Sequence, residues 1–177
     1  MVMAGGDGRL RVWNPDVRRP LIVTLPGHSG MVVALASTDV GLVASAGHDD
    51  NIVLWNIDEP AVLNTTRAKH DGGVATLAFA AVHRLVSVHL NGEVFIRQPD
   101  DLHPVGLAKL TGLQGFPCMA RAPTGQLVVG GCYDRMERNN EFLEPVGGEQ
   151  DFLELPWKRM HASADVRNIT FASDGRL

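Results

Sequence analysis

Cysteine is nearly absent: 177 residues carry only Cys118 and Cys132. Two thiols cannot build the disulfide framework of a small secreted domain, and they suit a reducing compartment, so a cytoplasmic setting is expected. Neither cysteine belongs to a CxxC pair, and the seven histidines show no HExxH spacing, so no zinc site is expected. Long apolar runs are also missing. The longest, Val74 to Val82, falls far short of the roughly 20 residues a membrane span needs. Met1 opens directly on a strand pattern, without the charged segment and apolar core of a leader, so no signal peptide is expected. Polybasic runs are lacking too. Sixteen Lys and Arg lie scattered among twenty Asp and Glu for a net charge of −4, which argues against a nucleic-acid surface, because phosphate binding needs clustered cations. No GKS/T fingerprint is present. Gly5-Gly6-Asp7-Gly8 precedes no helix, so it suits a turn and not a phosphate cradle. Asp134, Glu137 and Glu141 lack EF-hand spacing. No cofactor, metal, nucleic acid or membrane is expected.

What the sequence has in quantity is turn chemistry and strand pattern. Nineteen glycines and ten prolines interrupt a chain that is 45% hydrophobic, which suits many short strands. From Leu42 to Asn56, LVASAGHDDNIVLWN places the turn formers His48-Asp49-Asp50-Asn51 between two β-prone runs, the signature of a hairpin. The hairpin recurs at a fixed period. One period earlier stands VMAGGDGRLRVWN, and one period later VSVHLNGEVFIRQ. In the same register His28 falls on His70, and the apolar pair Val32, Leu35 falls on Val74, Leu77 and then on Phe116, Met119. A fixed period over three copies defines a repeat architecture.

A Gly-His pair, an apolar strand, a small-residue strand with a Ser, an Asp turn and then Trp resemble the WD-repeat family. In that family each unit of roughly 40–45 residues is a four-stranded propeller blade. The resemblance covers residues 1–132 closely and 150–177 loosely. It implies an all-β chain, a partial WD40 propeller of four-stranded antiparallel blades, open as a fan of about four blades and repeating every ~42 residues. The units are a partial blade at 1–25, blades at 28–66 and 70–110, a divergent blade with an insertion at 112–160, and the start of another at 162–177. Closed propellers have about 4–8 blades, so a fragment of a larger protein is expected.

Strands are expected at Val2–Gly5, Arg9–Trp13 and Leu21–Leu25 in the first unit. The second holds Met31–Ser37, Leu42–Ala46, Ile52–Asn56 and Ala61–Thr65, and the third Val74–Ala80, Arg84–Val88, Glu93–Arg97 and Val105–Leu110. In the second unit the resemblance implies a structural relay of His28, Ser45, Asp49 and Trp55, in which each buried polar group has a partner. It is no catalytic triad, because the hydroxyl is tied to Trp55 and nothing suggests an oxyanion hole. The third unit keeps His70 and Ser87 but carries Asn91 for Asp and Arg97 for Trp, so its relay is degenerate, with Arg97 expected to bend toward solvent or an acid. In the fourth, strands at Gly115–Arg121 and Gln126–Gly131 precede a short insertion relative to the period, of the kind that repeat proteins place in loops. Gly112, Val129 and Asn139 leave no relay there. Its third and fourth strands are expected at Phe142–Val146 and Asp151–Leu155, with Trp157 packed on the blade.

The resemblance implies a non-catalytic scaffold that binds other proteins. Its contact surface, by position in the family, lies near Met31, His48, Asp50, Leu90, Phe116 and Tyr133. WNPDVRRPLIVTLPGH is also similar to large multi-propeller WD proteins of cilia and flagella. The competing class is a propeller segment of an enzyme whose activity lies elsewhere.

Overall fold

The computed structural model describes residues 1–14, 16, 21–57, 66–70, 72–80, 84–109, 113–121, 127–133 and 144–145. The strands expected at Ala61–Thr65 and Asp151–Leu155, Trp157, Gly112, Asn139, the acids Asp134, Glu137 and Glu141, and the unit at 162–177 lie outside the described residues.

Alternating apolar runs punctuated by turn formers become fourteen strands in four antiparallel groups among the described residues, with no helix. The first sheet is β1 (Val2–Ala4), β2 (Arg9–Trp13) and β3 (Leu21–Pro26). The second is β4 (Val32–Ser37), β5 (Leu42–Gly47), β6 (Asn51–Asn56) and β7 (Thr66–Lys69). The third runs β8 (Val74–Phe79), β9 (Leu85–His89), β10 (Glu93–Arg97) and β11 (Pro104–Lys109), and the fourth pairs β12 (Leu113–Arg121) with β13 (Leu127–Tyr133). Strands follow one another in chain order across each of these sheets. The innermost strands β4, β8 and β12 lie side by side. The result is an open fan of propeller blades, and none of the sheets closes on itself.

The strand seen to pair with β6 in the second blade is β7, at Thr66–Lys69. One expected strand is corrected in its partner. A strand does form within the expected Phe142–Val146, as β14 (Glu144–Pro145), but it pairs with Lys109 and Ala108 of β11. It therefore extends the third blade as a fifth strand instead of joining β13. An edge strand offers unpaired N–H and C=O groups to whichever segment reaches it, and periodicity in sequence says nothing about reach.

The turns carry the period in their backbone. Gly8, Asp50 and Gly92 occupy the same position in successive units and have φ of 71°, 57° and 83°. Glycine takes the left-handed region freely, and Asp is among the few side chains that tolerate it. Bonds across the turns repeat too. The His28 N–H donates to the Gly8 carbonyl (3.2 Å), and the His70 N–H donates to the Asp50 carbonyl (3.0 Å). In the same way the His48 N–H reaches the Met31 carbonyl (2.9 Å), and the Leu90 N–H reaches the Gly73 carbonyl (3.0 Å). Each unit is thus stapled to the next at one rim of the fan.

Side chains alternate faces along a strand, so each blade lends one set to each neighbour. Val43, Val53 and Trp55 pack against Leu10, Val12 and Leu25 of the first blade. Ala44, Ala46, Ile52 and Leu54 pack against Val74, Leu77, Phe79, Leu85 and Leu102 of the third. Val86, Val88, Val94 and Ile96 turn the other way, onto Leu127 of β13. The core is a series of layers between blades, and Trp55 sits in the layer between the first and the second.

Candidate functional site

The second blade brings His28, Ser45, Asp49 and Trp55 together. His28 leads into β4, Ser45 lies on β5, Asp49 in the β5–β6 turn and Trp55 on β6. His28 Nδ1 is 2.8 Å from Asp49 Oδ1, His28 Nε2 is 2.7 Å from Ser45 Oγ, and Trp55 Nε1–H donates to Ser45 Oγ at 2.9 Å. With the Nδ1–H tautomer every proton is directed: indole to hydroxyl, hydroxyl to Nε2, Nδ1–H to carboxylate. Asp49 also accepts from the N–H groups of Ser29 (2.9 Å) and Asn51 (3.3 Å). Burial opposes its charge, but the hydrogen bonds from His28 and the Ser29 N–H outweigh burial and hold the carboxyl down at about 2.

Two glycines make room for this network. A Cβ on Gly27 would overlap the six-membered ring of Trp55, and one on Gly47 would lie 2.6 Å from His28 Nδ1 and 3.0 Å from Asp49 Oδ1. The first blade shows what happens without the hydroxyl. Trp13 matches Trp55 in register, but Met3 stands where Ser45 does, and the buried Trp13 Nε1 has no partner among the described residues.

In the third blade the structure does not bring His70, Ser87, Asn91 and Arg97 into one relay. Ser87 Oγ pairs instead with His89 Nε2, 3.2 Å away on the same strand. His70 is 4% exposed, and neither of its ring nitrogens has a hydrogen-bond partner among the described residues. The Gly47 backbone is near the ring without meeting hydrogen-bond geometry. Burial pushes the His70 imidazole below its ordinary value, against a weaker upward pull from Asp50. Its ring meets that of His89 edge-on, with centroids 5.6 Å apart. Asn91 turns away: its Nδ2 donates to Glu93 Oε2 (2.9 Å) and its Oδ1 accepts from the Glu93 N–H (3.0 Å).

Arg97 corrects an expectation. Its guanidinium turns neither to solvent nor to an acid among the described residues; the residue is 5% exposed, in the register position of Trp55. Nη1 donates to the Leu102 carbonyl at 3.0 Å, and the guanidinium carbon lies 5.2 Å from the Phe95 ring centre. A carbonyl and a π-face thus replace water. Leu102 presents that carbonyl from a left-handed backbone, φ 58°, while its side chain is buried between the second and third blades. Burial lowers the Arg97 pKa. Sequence reasoning missed His89, Phe95 and Leu102. The available signal was His89 itself, which stands one period after Gly47 and cannot leave that space empty.

The expected partner surface falls at the stapled rim. Met31 and Leu90 are 44% and 43% exposed, and His48 and Asp50 are exposed in the β5–β6 turn. Leu90 overhangs Gly73, where an added Cβ would lie 3.2 Å from Leu90 Cδ1. Phe116 lies in β12 and Tyr133 ends β13; their side chains lie outside the described residues. Among those residues no group of three or more His, Cys, Asp or Glu could hold a metal ion.

Antiparallel sheets that repeat in register, side-chain layers packed between them and a His–Ser–Trp–Asp network define a propeller-type repeat. Residues 19–56 match the family described as WD domain, G-beta repeat, so the chain carries a WD repeat. The match spans β3 to β6, one strand out of phase with the sheet β4 to β7, so each repeat bridges two blades. None of the curated proteins compared matches the chain. WD repeats build protein-interaction modules of a generally non-catalytic kind, and this chain carries such a repeat.

Proposed function

We propose that the chain is a non-catalytic scaffold in a larger, intracellular assembly, and that it binds a protein partner through the stapled rim. The observation that carries this reading is the pair of exposed apolar side chains, Met31 and Leu90, held on the same side of adjacent blades by equivalent backbone bonds. Around them His48, Asp50 and Asn91 supply polar groups. An apolar centre with a polar surround is what a protein partner needs. A hydrolase reading of His28, Ser45 and Asp49 finds no support, because the Ser45 hydroxyl is enclosed by the indole and the imidazole. The test is affinity purification with the full chain and with a Met31→Glu, Leu90→Glu double variant. Loss of co-purifying proteins with an unchanged melting midpoint supports the reading, and an unchanged partner set removes it.

A further inference from the structure

Asn91-Gly92 is the single Asn-Gly pair in the sequence. It sits at the β9–β10 turn, with Asn91 exposed and Gly92 at φ 83°. A glycine after asparagine leaves its backbone nitrogen open to attack the side-chain carbonyl carbon. Two bonds prepare Asn91 for that attack. The Glu93 N–H, 3.0 Å from Oδ1, polarises the carbonyl and would stabilise the oxyanion, while Glu93 Oε2 holds the departing Nδ2 at 2.9 Å. One bond is a brake: the Gly92 N–H donates to the His89 carbonyl at 3.0 Å, so this turn must open first.

The neighbourhood gives the product a destination. In the second blade the same position is Asp49, bonded to His28. Asn91 already lies over the loop that carries His70, with Nδ2 only 3.0 Å from where a Cβ on Gly72 would stand. The buried His70 has no partner for either ring nitrogen among the described residues. His89 fills the register position that, in the second blade, lies between the carboxylate and the imidazole. A carboxylate at 91 would also repel Glu93, now its hydrogen-bond partner, and swing toward the imidazoles. The charged groups facing this pocket are Asp49 and Asp50 from the β5–β6 turn, and Arg97 from β10.

We propose that Asn91 is a self-modification site, where deamidation produces an aspartate that supplies the buried histidines His70 and His89 with a carboxylate. In the first step the Gly92 nitrogen, losing its proton to solvent base, bonds to Asn91 Cγ as the Cγ–Nδ2 bond breaks and ammonia leaves. Water then opens the cyclic imide at Cγ, giving aspartate, with the proton and hydroxyl of one water accounting for the new acid and the restored amide. Opening at the other carbonyl gives isoaspartate, which adds one backbone atom to the turn.

The test is to age the full chain at neutral and mildly alkaline pH and map it by peptide mass spectrometry. Asn91 should convert before any other asparagine, faster at the higher pH, with aspartate present in the folded fraction. Separately, Asn91→Asp should raise the melting midpoint by about 2–4 °C for a chain of this size, more so under mildly acidic conditions. That gain should vanish when His70→Leu and His89→Gly are added. Prior conversion of another asparagine, isoaspartate as the sole product, no gain from Asn91→Asp, or a gain that survives loss of both histidines would overturn the proposal.

Discussion

His89 Nε2 lies 3.2 Å from Ser87 Oγ, a pairing that, beside Asn91 for Asp49 and Arg97 for Trp55, sets the third blade apart from the second. At the same register position the second blade has Gly47, whose missing side chain leaves the space through which His28 reaches Asp49. Where His89 fills that space, the hydroxyl is taken by a neighbour on its own strand, and His70 is left buried against the intruding ring. Gly47 is therefore one condition, beside the Asp and the Trp, for four well-separated residues to act as one network.

The second-blade network should behave as a unit. Trp55→Ala should cost about 3–5 kcal/mol, through lost packing and the cavity left behind. His28→Ala should cost about 1–3 kcal/mol, because Ser45 and Asp49 lose a buried partner. The double variant should fall well short of the sum. Equilibrium denaturation of the three variants checks this, and additive losses would show that the hydrogen bonds do not couple the two side chains.

Gly47→His should reproduce the third-blade arrangement in the second blade. The new imidazole would clash with His28 Nδ1 and compete for Ser45, at a cost of about 1–3 kcal/mol. Once it is present, His28→Ala should change stability little. A tolerated Gly47→His that leaves the cost of His28→Ala intact would show that His89 is not what displaces His70.

Asp50 is the one non-glycine among the three equivalent turn positions, with φ 57°. Asp50→Gly should be neutral within about 0.5 kcal/mol, as relief of strain offsets the greater freedom of the unfolded chain. Asp50→Val should cost about 1–3 kcal/mol, because a β-branched side chain is strained in the left-handed region. Similar midpoints for the two variants would mean that the turn adopts another backbone.

Acid should weaken the fold in two separate steps. The buried His70 imidazole sits below its ordinary value of 6.5, so the unfolded chain takes up that proton first. Stability is full above this value and declines as pH falls through it. His70→Leu should abolish that step and, by removing two buried nitrogens without partners among the described residues, leave stability at neutral pH equal or higher. Asp49 lies at about 2 against an ordinary 3.8, so its contribution is present above the ordinary value and lost as pH falls toward the lower one. Solvent at the turn screens the pair, which leaves that contribution on the order of 1 kcal/mol. Asp49→Asn should remove this second step. Melting curves across pH for the two variants separate them, and a profile unchanged by either substitution would dismiss both assignments.

Much of the architecture was legible in the residues because it is local. Period-2 alternation sets which side chains of β5 and β6 face each neighbouring blade, and a left-handed turn position recurs at residues 8, 50 and 92 because glycine or aspartate can occupy it. The association of His28, Ser45, Asp49 and Trp55 was readable only through the resemblance to the WD-repeat family, and the structure adds that Gly47 leaves the space between them. Tertiary structure alone decided the rest. Arg97 is buried because Leu102, five residues on, offers a carbonyl from a left-handed backbone and Phe95 offers its ring. Glu144 and Pro145 pair with β11 because an unpaired strand edge lay within reach of them. Polar satisfaction and edge pairing depend on which groups meet in space, and a repeat period carries no record of that.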